Sequence, residues 1–148
     1  MSDSRITFTL NHLVGELNKN ADRILRDEFD LTYSQFLFLL HLQASGKVSS
    51  STLARHMGVS RAAVSKRVSW FTSRGLVDSG HAPADNRVLT LALTARGKRL
   101  TTQMSDVLEI RFRERFDSLT GVNLDELHQT LLEVHAHLQA RQESSVPA

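Results

Sequence analysis

The stretch 60–74, SRAAVSKRVSWFTSR, carries the first side chains that share a chemistry. Arg61, Ser65, Lys66 and Ser69 fall on one side of a helical period, and no acid stands among them. Guanidinium, ammonium and hydroxyl donors without a carboxylate suit oxyanions and base edges, not proton transfer or covalent catalysis. The wider charge pattern agrees. From Lys47 to Arg99 the chain has ten Lys or Arg against two acids, Asp78 and Asp85, whereas the rest has eight basic and fourteen acidic residues. A basic centre between acidic flanks, hidden within a net charge of only +2, points to a polyanion partner for the centre alone.

The elements that must position these groups are legible around them. Ser60 is a suitable N-cap, and Val59 with Val64 forms a hydrophobic staple. Ala63, Val64, Arg67, Val68 and Phe71 follow the helical period and give the helix a side to bury. Gly75 supplies a left-handed residue to end it, with Leu76 folding back. Before it, 44–46 reads as a turn and 47–49 as a short extended piece. Ser50 or Ser51 then caps a helix over 52–57 that turns Leu53, Ala54 and Met57 inward. Helix, Gly58-Val59 turn and basic helix make a helix-turn-helix.

After the basic helix, Leu76 and Val77 start a strand, and VLTLAL over 88–93 alternates as a half-buried return strand. The polar segment 78–87 between them is expected to form a long hairpin tip, so the hairpin is a wing. Arg87 stands at the tip end of the return strand, within reach of a minor groove or backbone phosphates. Asp85 is an acid near that position. It can pin the turn or orient Arg87 through a charge-assisted bond.

Longer helices frame this centre. The spacing of Ile6, Leu10, Leu13, Leu17, Ala21, Ile24 and Leu25 predicts a helix over 5–29. Thr32 with Gln35 is a capping box for a nearly all-apolar helix over 33–43, with His41 at its boundary. Thr94 caps a helix over 95–119 whose first turn holds Arg96, Lys98 and Arg99. Asn123 with Glu126 opens a last helix over 124–142. Residues 1–4 are expected to fray and 143–148 to form a tail. The fold class is mainly α with a small β-hairpin wing: a winged helix-turn-helix plus a helical dimerisation region. Residues 1–30 form the N-terminal dimerisation helix, 31–93 the DNA-binding domain and 94–148 the C-terminal dimerisation helices. The terminal stripes are more apolar than one small chain can cover, which argues for a homodimer. Two-fold symmetry would set two basic helices roughly 34–36 Å apart on DNA.

Other classes of function find little support. With no cysteine there is no disulfide, thiol nucleophile or thiolate metal ligand. No Gly-rich phosphate loop, nucleophile elbow or paired-carboxylate arrangement occurs, so neither a catalytic site nor a cofactor is expected. Of the histidines close in sequence, His135 and His137 point about 200° apart on a helix and His128 lies two turns from His135, so no metal site is expected. No signal peptide or membrane span is expected, and the location is expected to be cytoplasmic. A metal-responsive regulator and a dimer that binds only protein remain as alternatives.

The pieces LTYSQFLFLLHL (31–42), TLARHMGVSRAAVSKRV (52–68), RGLVD (74–78), PADNR (83–87) and LTARGKRL (93–100) together resemble the MarR family of winged helix-turn-helix regulators, over nearly the whole chain. The wing pattern Asp85-x-Arg87 followed by Leu93-Thr94-x-x-Gly97 is the most specific part. The resemblance implies a homodimer that binds a palindromic double-stranded operator, often as a repressor. It implies that Ser60, Arg61, Ala62, Ser65 and Lys66 meet the major groove or its phosphates, flanked by Arg55 and Arg67. Arg87 would then be the minor-groove residue, with Asp85 supporting it. Trp70, Asn86 and Ser79 depart from residues common in the family. Many members bind a small aromatic acid between the DNA-binding lobe and the dimer helices. By position, His12, Phe36, His41 and Trp70 border such an effector pocket here.

Overall fold

The capping box forms as its residues dictate. The Thr32 hydroxyl accepts the Gln35 N–H at 3.1 Å, and the Gln35 carboxamide oxygen accepts the Thr32 N–H at 2.8 Å. In the computed structural model, which describes residues 5–143, this box opens a helix that runs Tyr33–Ser45. The described residues form, in order, α1 (Ile6–Phe29), α2 (Tyr33–Ser45), β1 (Val48–Ser49), α3 (Ser50–Met57), α4 (Arg61–Ser73), β2 (Val77–Ala82), β3 (Asp85–Leu93), α5 (Ala95–Phe116) and α6 (Leu124–Glu143). The fold is mainly helical with a small antiparallel sheet, as the sequence implies. The end expected to fray (1–4) and residues 144–148 of the expected tail lie outside the described residues, and Glu143 closes α6.

Contacts divide the chain into two compact units, Met1–Arg111 and Phe112–Ala148. In the first, α2 is the central helix. Phe36, Phe38, Leu39 and Leu42 are buried, and the Phe38 ring stacks on Phe71 of α4 at 4.8 Å with planes 13° apart. Leu25 of α1, Leu53 of α3, Val64 and Val68 of α4, Leu91 of β3 and Met104 of α5 complete the same core. The outer part of α1 is different, because Ile6, Phe8, Leu13 and Val14 lie exposed. In the second unit the Asn123 side chain accepts the Asp125 and Glu126 N–H groups, and Arg113 pairs with Asp125 at 2.9 Å. Leu127, Leu131, Leu132, Val134 and Leu138 of α6 are 41–57% exposed, which leaves an apolar face uncovered within the chain.

Four expectations need correction. The sheet has three strands in the order β1-β3-β2, because Val48 and Ser49 pair with Leu91 and Thr90. Since Ser49 ends that strand with extended backbone, it caps α3 by accepting the Thr52 N–H at 3.1 Å; Ser50, expected as a cap, is instead buried inside the helix. The hairpin tip is short. β2 reaches Ala82 and β3 begins at Asp85, so only Pro83 and Ala84 turn. The irregularity lies inside the ladder: His81 pairs Leu89 and Ala82 pairs Asp85, so Asn86, Arg87 and Val88 have no counterpart on β2. Finally, α5 ends at Phe116 rather than 119, where the Leu119 N–H tightens onto the Phe116 carbonyl at 2.9 Å.

The ends of α4 meet the wing in one junction. The Gly75 N–H donates to the Thr72 carbonyl (3.0 Å) and the Leu76 N–H to the Phe71 carbonyl (3.1 Å), with Gly75 at φ +66°. The Thr94 N–H then donates to the Leu76 carbonyl at 3.1 Å. The Thr94 hydroxyl donates to the Gly75 carbonyl at 2.7 Å and accepts the Gly97 N–H at 2.9 Å, capping α5. Gly97 is glycine because of the close approach: a Cβ there would stand 2.1 Å from the Leu76 carbonyl oxygen. Gly97→Ala should therefore lower stability by about 3 kcal/mol, the upper part of the overpacking range, read as a lower urea midpoint. An unchanged midpoint would mean that the two backbones do not touch.

Asp22 ties α1 to the start of α2. Its carboxylate accepts the Arg26 guanidinium at 2.6 Å and the Tyr33 N–H at 2.8 Å. The bond from Arg26, then that from Tyr33, holds its carboxyl below the ordinary 3.8. A depressed carboxylate stabilises the fold above its unfolded pKa and loses that contribution as pH falls through the folded value. The stability gap between the native chain and Asp22→Asn should accordingly be full at neutral pH and shrink in acid below the ordinary value. A pH-independent gap in urea unfolding would remove this carboxylate from the acid response.

Candidate nucleic-acid interface

The α3 and α4 ends set the basic helix. Gly58 at φ +65° lets the Val59 N–H reach the Ala54 carbonyl at 3.0 Å, and Ser60 caps α4 by accepting the Ala63 N–H at 3.1 Å. Val64, Val68 and Phe71 then point into the core. That burial fixes the opposite side: Arg61, Ala62, Ser65, Lys66 and Ser69 are all exposed, as are Ser60 and Arg55 of α3. Small residues at the front of α4 leave room for a close surface, and the cations border it.

The electrostatics of this side are distinctive. Among the described residues Lys47, Arg55, Arg61, Lys66, Arg67 and Arg87 make no ion pair. Ion pairs such as Glu16 with Lys19, Asp22 with Arg26, Glu28 with Arg111 and Asp125 with Arg113 lie outside the basic span 47–99. Cations without carboxylate partners remain available to an external anion.

In the wing, Arg87 is exposed within the irregular stretch of β3. Asp85 accepts the Arg87 backbone N–H at 2.9 Å. Of the two tasks expected for Asp85, the structure has the first: it pins the turn, and its bond is to the backbone rather than to the guanidinium.

Arg67 departs from the front of the helix. It is half-buried and, with Ala63, Lys66, Trp70 and Phe71, lines a groove of about 490 Å³ whose other wall is Thr32, Ser34 and Gln35 from the start of α2. Trp70 meets the edge of Phe71, and the Arg74 guanidinium lies 3.6 Å over its ring. Of the four residues expected to border an effector pocket, Trp70 lines this groove and the other three do not. His12 is exposed beside Phe8 on α1, Phe36 belongs to the core, and His41 is half-buried on α2. The α2 wall and Arg74 went unnoticed in the sequence. The four-residue step from Trp70 to Arg74 is a signal that finds the second. Among the described residues no group of three His, Asp or Glu could hold a metal, and no helix is long and apolar enough to cross a membrane.

Comparison with known proteins places this geometry. Residues 29–88 match the profile of the MarR family. The HTH-type transcriptional repressor IacR of Pseudomonas putida is 28% identical over 130 residues, covering 88% of this chain and 77% of that protein. A putative MarR-like transcription regulator from Bacillus cereus has a solved structure that is 28% identical with a TM-score of 0.69, covering 90% of this chain and 95% of that one. A cysteine-to-serine mutant of MarR from E. coli, solved in complex with operator DNA, shares the fold at 23% identity and a TM-score of 0.64, covering 85% of this chain and 93% of that one.

Arg87→Ala should weaken binding to double-stranded DNA and reduce the slope of log affinity against log salt by about one unit, as expected for one lost phosphate contact. Asp85→Ala should weaken binding with the slope nearly kept, since it disturbs the turn and not the charge. Equal slopes for the native chain and Arg87→Ala would take the wing out of the interface.

Proposed function

We propose, for a chain that belongs to the MarR family of winged helix-turn-helix transcriptional regulators, that it works as a homodimeric repressor of palindromic operators. The observation that carries this reading is the row of cations without ion-pair partners on α3, α4 and the wing. Phosphate contacts by Arg55, Arg61 and Lys66 supply affinity and register. The small front residues Ser60, Ala62 and Ser65 admit base edges to the helix. Arg87 enters the minor groove beside the major-groove contact, with Asp85 holding the turn that presents it. The chain is not an enzyme: the family and the relatives are regulators.

The dimer is supported by the apolar faces left open at both ends. Ile6, Phe8, Leu13 and Val14 on α1, and Leu127, Leu131 and Leu138 on α6, are exposed in the single chain. Apolar side chains exposed along a helix mark protein interfaces, and a second copy of the chain is a cover for each of these segments. Residues 1–30 and 94–148 thus carry assembly in this reading, and 31–93 carries DNA recognition. A cytoplasmic location goes with a DNA partner, and release by a small aromatic or phenolic molecule would make the repression conditional.

Selection of bound duplexes from a random pool should return an inverted repeat with half-sites one helical turn apart, and the complex should contain two chains per site. A direct repeat, or one chain on a single half-site, would overturn the symmetric dimer.

A further inference from the structure

Two helix ends on this chain carry charge that opposes their own dipoles. The start of α5 holds Arg96, Lys98 and Arg99, all exposed, with no acid in its first turn. The last turn of α1 holds Asp27, and its cap is Asp30, both exposed. A helix start disfavours cations and a helix finish disfavours carboxylates. None of these five side chains makes an ion pair among the described residues, whereas Asp22 and Glu28 beside them hold Arg26 and Arg111. The two ends cannot neutralise each other within the chain. Glu28 touches Arg111 at 3.0 Å, and Arg111 stands more than three turns of α5 beyond the cations, roughly 18–22 Å. That is about twice the Debye length of roughly 8–10 Å at physiological salt. The cations also stand apart from both parts of the basic interface. The Thr94 hydroxyl donates to the Gly75 carbonyl at 2.7 Å, which seats the start of α5 at the rear of α4. The length of α4 puts its front about 20 Å away, and the length of β3 puts the wing tip roughly 25–30 Å away.

We propose that these ends are the two halves of one contact between copies of this chain. The Arg96, Lys98 and Arg99 end of α5 in one homodimer meets the Asp27 and Asp30 end of α1 in the next. Charge complementarity selects the occupant: three unpaired cations face two unpaired carboxylates. Docking also brings acids to the positive end of α5 and cations to the negative end of α1, so both dipoles are relieved at once. The contact is heterologous, one surface against a different one, so it continues from dimer to dimer instead of closing. Dimers therefore line up along DNA, and occupancy of one operator assists binding at its neighbour. Exposed ion pairs are individually weak and screened by salt, so the contact becomes effective where DNA holds two dimers at high local concentration. The lining-up on DNA rests on the DNA-binding reading above; the contact between dimers does not.

Charge reversal tests this without loss of the fold, because each change suits its helix end. One set, Arg96→Glu with Lys98→Glu and Arg99→Glu, puts acids at the start of α5. The other, Asp27→Lys with Asp30→Asn, removes acids from the end of α1, and asparagine accepts the left-handed backbone of Asp30 (φ 55°). Each set should keep or raise the urea midpoint. On a duplex with one operator from the random pool, both sets should bind as the native chain does. On duplexes with two operators over a series of spacings, the native chain should bind the second site about ten-fold more tightly than the first at about 50 mM salt, and lose most of this by about 300 mM. Either set alone should abolish the cooperativity, and the chain carrying both sets, with its charges exchanged, should regain part of it. No cooperativity in the native chain at any spacing, or no recovery in the exchanged chain, overturns the proposal. Weaker binding of the α5 set to a single operator, with a lower salt slope, places the cations on DNA and also overturns it. So does dissociation of the homodimer into single chains by either set, since the ends then meet inside the dimer. If the native chain binds no DNA from the pool, the DNA-binding reading fails alone, and light scattering at low salt decides the contact. Association beyond two chains in the native and exchanged chains, but in neither single set, supports it; its absence overturns it.

Discussion

The contact between the Leu76 carbonyl and Gly97 holds the winged helix-turn-helix together. Four elements end or begin there. α4 closes through Gly75, β2 leaves from Leu76, β3 arrives at Leu93 opposite Val77, and α5 starts from Thr94. Thr94 serves three of these at once, through its N–H to Leu76, its hydroxyl to Gly75 and its acceptance of the Gly97 N–H. The Leu76 side chain and Leu93 are buried beside the junction, while the bond from Thr94 to the Gly75 carbonyl lies at the surface. The angle between the basic helix and the wing is thus set by hydrogen bonds at the C-terminal end of α4, not by contacts at its front end. This explains the Leu-Thr-x-x-Gly pattern physically: threonine for a donor and acceptor at one point, glycine for the 2.1 Å approach that no side chain survives.

The parts of this fold that were legible in sequence are those decided locally. A cap depends on two residues three apart, so Thr32 with Gln35, and Ser60, could be read directly. The apolar periods of α1, α2 and α6 fixed those helices to within a residue or two for the same reason. What escaped depends on partners distant in the chain. Val48 and Ser49 form a strand only because Leu91 and Thr90 pair with them, and that pairing moves the α3 cap to Ser49. The polar run 78–87 looked like loop because its composition favours turns, yet the β2–β3 ladder extends to Ala82 and Asp85 and puts its irregular register at Asn86 to Val88 instead. At the site, the exposed face of α4 followed from its buried face. The groove did not, since half of it comes from α2, some thirty residues earlier in the chain.

Charge is partitioned by structure as well as by sequence. The acidic flanks neutralise their own cations in pairs such as Glu28 with Arg111, across α1 and α5. The centre keeps its cations unpaired. Exposed pairs of this sort contribute little to stability, roughly 0–1 kcal/mol. Their larger effect is on the field: the flanks, with eight basic against fourteen acidic residues, stay net acidic while the centre stays positive, so a polyanion meets one attractive face.

Rigidity then limits how this lobe can be controlled. α4 is capped by Ser60, closed at Gly75, and clamped to α2 by the stack of Phe71 on Phe38. A close-packed core of this kind transmits displacement instead of absorbing it. The start of α2 is itself held by the Thr32–Gln35 box and by Asp22 of α1. With α2 and α4 each fastened and stacked on one another, a shift of α2 carries α4 and its exposed basic face with it.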